Sequence, residues 1–196
     1  MNKILAKGKR GQVYVYKSSV DGKEVCVKEL NPESKATNVL ANEATFLKIV
    51  NEYGIGPRLL GADKDKVFME FVQGERILDF FERENKTGIV KVVKNVLEQA
   101  HTLDDIGINK LELTNPYKHI IVQDKKPVMI DFERCKRTTK PKNVTQIVQF
   151  LTSGRVKRIL KEKSIDWDKE ELLALVKDYK NGYSDEKFKE LKKKIN

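Results

Sequence analysis

The spacing of apolar residues changes period along the chain and divides it in two. Near the start, Ile4-Leu5, then Val13 and Val15 alternating with Tyr14 and Tyr16, then Val25-Cys26-Val27 predict three short strands. Asp21-Gly22 supplies a hairpin turn, so these strands form an antiparallel meander. Over residues 35–52 the period lengthens to that of a helix, with Val39, Leu40, Phe46, Leu47 and Val50 as the apolar stripe and Glu43 inside it. Gly54-Ile55-Gly56-Pro57 ends that helix. Strands over 58–60 and 67–71 follow around the turn Asp63-Lys64-Asp65-Lys66, completing a five-stranded lobe with one helix.

From about Gln73 the period is helical. A short helix is predicted over 75–84 and a long one over 88–106, where Ile89, Val92, Val93, Val96, Leu97, Ala100 and Leu103 keep strict i, i+3, i+4 spacing. Residues 107–119 read as a polar loop and 120–123 with 127–131 as a hairpin. Helices over 143–152, 155–163, 168–180 and 184–194 complete the chain, with Trp167, Leu172, Leu173, Val176, Tyr179, Phe188 and Leu191 as packing residues. The expected architecture is α+β in two lobes, residues 1–72 and 73–196, the second mainly helical with a short C-terminal extension.

Composition narrows the class. At 196 residues the chain holds one core or two small lobes sharing a cleft. Hydrophobic residues at 39% and charged residues at 35% exclude wholesale disorder, and the Lys/Glu-heavy balance resembles that of very thermostable proteins. Cys26 and Cys135 are too few for a disulfide framework and lack zinc-ligand spacing. No apolar run is long enough for a bilayer, and no signal-peptide core is visible, so a cytoplasmic protein with no membrane partner is expected. The net charge of +10 is concentrated: Arg134 to Lys163 carries ten Lys and Arg against the single acid Glu162. Arg155, Lys157, Arg158 and Lys161 have almost no acids at i±4, so RNA or a ribonucleoprotein is an expected partner alongside the plainer reading of a solvated face.

Four stretches carry chemistry. Val128-Met129-Ile130-Asp131 is a short apolar strand ending in a carboxylate, a position suited to a divalent cation; an ordinary turn-starting Asp is the plainer alternative. Gly8 and Gly11, flanking Lys9 and Arg10, free the backbone to approach a phosphate. Lys28 follows three apolar residues and needs a partner, which Glu43 on the predicted helix can supply. Glu112, Asn115, Lys118 and His119 line a polar rim, with Asp131 opposite, whereas His101 continues an apolar helix face and reads as a buried structural histidine.

In order and spacing these pieces resemble the protein-kinase-like fold, and within it the small archaeal atypical kinases of the RIO type and the kinase of the KEOPS tRNA-modification complex. Gly8-x-x-Gly11-x-Val13-Tyr14 matches the latter part of a glycine-rich loop, with Ala6 where the first glycine would stand. Val25-Cys26-Val27-Lys28 looks like the Val-Ala-Ile-Lys strand, and Asn42-Glu43-Ala44 like the helix carrying its glutamate. Met69-Glu70-Phe71-Val72-Gln73-Gly74 is similar to the adenine-binding hinge, and Asp131-Phe132-Glu133 stands where kinases have Asp-Phe-Gly. The catalytic loop departs from the pattern. Glu112 falls at the catalytic Asp and Lys110 at the preceding His, the loop is two residues longer, and His119 sits where a second metal-binding Asn belongs, with Asn115 as a substitute. No Ala-Pro-Glu segment follows Asp131.

The resemblance implies an ATP-dependent serine/threonine protein kinase or kinase-like ATPase. Gly8, Gly11 and Val13 would cover the nucleotide, Glu70 and Phe71 would meet adenine, and Lys28 held by Glu43 would contact the phosphates. Asp131, with Asn115 or His119, would hold Mg²⁺ or Mn²⁺, and Glu112 would act as base. The alternatives are a nucleotide-binding pseudokinase scaffold associated with RNA, and a small-molecule phosphotransferase.

Overall fold

The computed structural model describes residues 3–8, 11–31 and 38–196, and the chain divides into two compact units. The first comprises residues 1–73 together with 128–135, and the second residues 74–127 together with 136–196, so the chain returns to the first unit once.

In the first unit, β1 (Lys3–Gly8), β2 (Gly11–Lys17), β3 (Glu24–Leu30), β4 (Leu59–Ala62) and β5 (Lys66–Glu70) form one antiparallel sheet in the order β1-β2-β3-β5-β4. The central strand β3 sets Lys28 opposite Val13 on one side and Val67 on the other. Helix α1 (Val39–Asn51) buries Leu40, Phe46, Leu47 and Val50, and the carboxylate of Glu43 lies in the same buried stripe. The part of the predicted helix before Asn38 lies outside the described residues. At its end Asn51 ties the following turn: its amide donates to the carbonyls of Ile55 and Pro57, and its oxygen accepts from Leu59 N–H at the start of β4. Gly56, with φ of +79°, lies in that turn against the Phe132 ring; a Cβ there would come within 2.9 Å of the ring.

In the second unit, β6 (Glu75–Arg76) leads into α2 (Ile77–Arg83) and the long α3 (Lys86–Asp105), which buries every apolar residue of the predicted stripe. The stretch expected as a loop over 107–119 is instead ordered as β7 (Ile108–Lys110), a 3-10 turn (Leu111–Thr114) and a single turn of helix, α4 (Pro116–His119). Strand β8 (Ile120–Gln123) pairs with β6, and β9 (Lys126–Met129) ends before Asp131, so the carboxylate stands beyond the strand instead of at its tip. After β10 (Cys135–Arg137) come α5 (Asn143–Leu151), α6 (Gly154–Glu162), α7 (Lys169–Tyr179) and α8 (Asp185–Lys194). Helix α5 packs on α3 and α7, and α7 on α8. Side-chain caps start three helices: Asn85 accepts from Gly88 N–H, Asp168 from Glu171 N–H and Ser184 from Lys187 N–H. Of the expected packing residues, Leu172, Val176, Tyr179, Phe188 and Leu191 are buried, while Trp167 and Leu173 are half-buried.

Candidate functional site

Alternation along β3 buries Val25 and Val27 on one side and sends Lys28 to the other. Its ammonium is held by two carboxylates: it donates to Glu43 Oε1 and Oε2 at 2.8 and 2.7 Å and to Asp131 Oδ1 at 2.7 Å. Glu43 is fully buried, and its Oε1 also accepts the Phe132 backbone N–H at 3.2 Å. One helix carboxylate thus fixes both the strand lysine and the chain that follows β9. Burial alone would pull the Lys28 ammonium below its ordinary pKa, but the nearby Glu43 and then Asp131 outweigh it and hold the value well above.

The segment carrying Asp131 is fastened independently. Asn42 Nδ2, on α1, donates to the backbone carbonyls of Glu133 and Cys135 at 2.7 and 3.1 Å. Phe132 is fully buried, so side chains 131 and 133 are set about a fixed anchor. Asp131 itself has φ of +70°, in the left-handed region that non-glycine residues seldom occupy. Such conformations persist where the surrounding structure over-determines them, and they concentrate at ligand sites. Glu43, Asp131 and Glu133 each offer a carboxylate oxygen, and the three atoms lie within 4.8 Å of one another. An all-oxygen donor set beside a fixed ammonium fits Mg²⁺ or Mn²⁺ shared with phosphate oxygens.

The other expected nucleotide positions have identifiable local roles. Gly11 faces β3 so closely that a Cβ would fall 2.0 Å from the Glu29 carbonyl oxygen, a strand-packing reason for glycine beside the expected ligand-facing one. Gly8 pairs with Gly11 in the register of β1 with β2, and the cations Lys9 and Arg10 lie outside the described residues. The amide of Glu70 donates to the Arg58 carbonyl and that of Phe71 to the Glu24 carbonyl, so these two N–H groups are engaged within the unit.

In the second unit, Glu112 lies in the 3-10 turn and is buried. Its Oε2 is 3.6 Å from the ammonium of Lys110, which is completely buried. A polar frame surrounds this segment, built from residues that no sequence motif marks. Asn143 Oδ1 accepts from Lys110 N–H, its amide donates to the Ile108 carbonyl and to Asp104 Oδ1, and Asn109 Oδ1 accepts from Lys142 N–H. Burial pushes the Asp104 carboxyl above its ordinary range, against the Asn143 and Val144 backbone N–H groups it accepts from. Asn115 ends the 3-10 turn and opens α4, and His119 is the last residue of α4. Asn143 and Asp104 carry no local signal in the sequence, because an Asn at a helix start and an Asp at a helix end read as ordinary caps.

No protein-family profile matches the chain. It is similar to the uncharacterized protein MJ1211 of Methanocaldococcus jannaschii, with 30% identity over 95 residues that span 48% of this chain and 81% of that protein. Among solved structures it is similar to the autoinhibited serine kinase domain of the giant muscle protein titin, with a TM-score of 0.67 and 15% identity over 89% of this chain and 72% of that domain. At that identity the likeness establishes a protein-kinase-like fold.

Proposed function

The chain belongs to the family of the uncharacterized M. jannaschii protein and has a protein-kinase-like fold, and from that premise we propose that it binds ATP with a divalent cation and transfers phosphate to a hydroxyl, as an atypical serine/threonine kinase. The observation that carries this reading is the Lys28 ammonium fixed between Glu43 and Asp131. A lysine so held presents a point charge to phosphate oxygens without first having to be ordered. Asp131 and Glu133 would hold the cation, which neutralises phosphate charge when bound. Glu112 is assigned as the base that takes the acceptor's proton.

A second reading, nucleotide binding without turnover, is favoured by one feature. The Glu112 carboxylate is buried, with its Oε2 3.6 Å from the completely buried Lys110 ammonium, so the side chain is engaged in an ion pair within its own unit. In either reading the exposed cations Lys136, Arg137 and Arg158 offer a surface to an RNA backbone. Lys157, by contrast, is paired with Asp166 at 3.5 Å.

Thermal unfolding with ATP and Mg²⁺ or Mn²⁺ tests the nucleotide site, since a ligand of the native state raises the melting temperature by mass action. Lys28→Ala and Asp131→Ala should each abolish the increase, and an unchanged increase in both would refute the assignment. Glu112→Gln then separates the readings. A kinase loses transfer of labelled phosphate while keeping the ATP-induced increase; a parent protein that binds ATP but labels nothing supports binding without turnover.

A further inference from the structure

The second unit contains a groove of about 590 Å³, within the size range of small-molecule sites. Its floor is the polar face of α5, where Lys142, Thr145, Gln146 and Gln149 recur at helical spacing opposite the buried Val144, Ile147, Val148 and Leu151. The facing wall is the stretch from Leu113 to Tyr117, which begins at the residue after Glu112. Ser153 and Arg155, at the amino end of α6, and Lys180, beyond α7, line the rest.

Three features define what would fit. Lys142, Arg155 and Lys180 come from three separate elements, and among the described residues the lining contains no carboxylate. The amino end of α6 adds its backbone dipole, has no acid in its first turn, and is open at Gly154, where a Cβ would meet nothing within 4 Å. At the floor, Gln146 Oε1 is buried without a hydrogen-bond partner among the described residues. A buried amide oxygen in this position calls for a donor, which a bare anion cannot supply and a hydroxyl can. The Tyr117 ring, with the Arg155 guanidinium 6.0 Å from its centroid, offers a flat apolar surface beside the cations.

We infer that this groove binds a phosphate-bearing, hydroxylated small molecule of the sugar-phosphate class, its phosphate among Arg155, Lys180 and Lys142 and a hydroxyl donating to Gln146.

The full chain is titrated with ribose 5-phosphate, ribose, an octaglutamate peptide and an eight-nucleotide uridine RNA, with binding followed by saturation-transfer NMR and calorimetry. Ribose 5-phosphate should bind and ribose should not. Arg155→Gln with Lys180→Gln should weaken the sugar phosphate at least tenfold, whereas Lys136→Gln with Lys140→Gln, which removes equal charge outside the groove, should leave it unchanged. Gln146→Leu should weaken ribose 5-phosphate more than inorganic pyrophosphate. The assignment is overturned if ribose 5-phosphate fails to bind, if both charge variants weaken it equally, or if only the peptide or the RNA binds through Arg155 and Lys180. Failure of ATP to stabilise the parent removes the kinase reading but leaves the groove to be decided by these titrations.

Discussion

Lys28 shows how much can rest on one side chain. It has two carboxylate partners, of which Glu43 has no exposed surface, so replacing the lysine by an apolar isostere strands a buried charge. Removing one partner of such a pair costs about 3–5 kcal/mol, whereas replacing both by well-packed apolar groups is often neutral. Lys28→Met should therefore destabilise the protein by about that amount in urea unfolding, and adding Glu43→Leu should restore most of it. The pH dependence has a definite sign. Because the folded-state pKa of Lys28 is raised, its contribution is complete below the unfolded-state value, about 10.4, and is lost as pH climbs through the folded value. The urea midpoint of the parent should fall more steeply above about pH 10 than that of the double variant. Parallel pH profiles would show that the ammonium does not couple to folding. The sequence made this pairing readable because a charged residue closing an apolar triplet, and a glutamate set in an apolar helix stripe, both need an explanation. The left-handed backbone at Asp131 had no such signal, since it is imposed by Asn42 and the buried Phe132 from outside the segment.

Among elements, legibility follows how local the stabilising interactions are. Helices α5 to α8 lie within about a residue of their predicted ends, because amphipathic periodicity and caps such as Asp168 and Ser184 are written in adjacent residues. The stretch from β7 to α4 was unreadable because bonds from Asn143 and Asn109, more than thirty positions away from their partners, hold it in place. A similar long-range tie links α3, α7 and α8. His101 stacks on Phe188 with ring centroids 4.0 Å apart, its Nε2 lies 3.1 Å from Asp185, and its Nδ1 is 2.9 Å from the Tyr179 hydroxyl. Burial and then the Asp104 carboxylate hold that hydroxyl far above its ordinary pKa, so it stays protonated and donates to Asp104 Oδ2 at 3.2 Å. Its oxygen then accepts from His101 Nδ1–H. Tyr179→Phe keeps the ring and removes both bonds, which should cost about 1–3 kcal/mol, seen as a lower denaturant midpoint at unchanged slope. A midpoint equal to the parent's would mean that the aromatic packing alone joins these helices.

At the scale of the whole molecule, a kinase-like fold supports several chemistries, and the charge of this chain is a property of its own to be accounted for. The net +10 resides largely between Arg134 and Lys163, a span that holds two kinds of cation. Arg155 and Lys142 line the groove, while Lys136, Arg137 and Arg158 stand exposed outside it. Like-signed exposed charges repel one another, and a polyanion offsets that repulsion by releasing its own counterions when it binds. For single-stranded RNA the logarithm of affinity falls with the logarithm of salt concentration with a slope of about −0.7 per phosphate neutralised. Replacing Lys136, Arg137 and Arg158 together by Gln should therefore flatten the measured slope by about 2, while ATP-induced stabilisation and the response to ribose 5-phosphate stay as in the parent. Filter binding of tRNA and of a uridine oligomer from 50 to 300 mM salt provides the measurement. A slope unchanged in the triple variant would assign RNA retention to other residues, and a parent that retains no RNA at the lowest salt would leave the exposed cations as a solvated face.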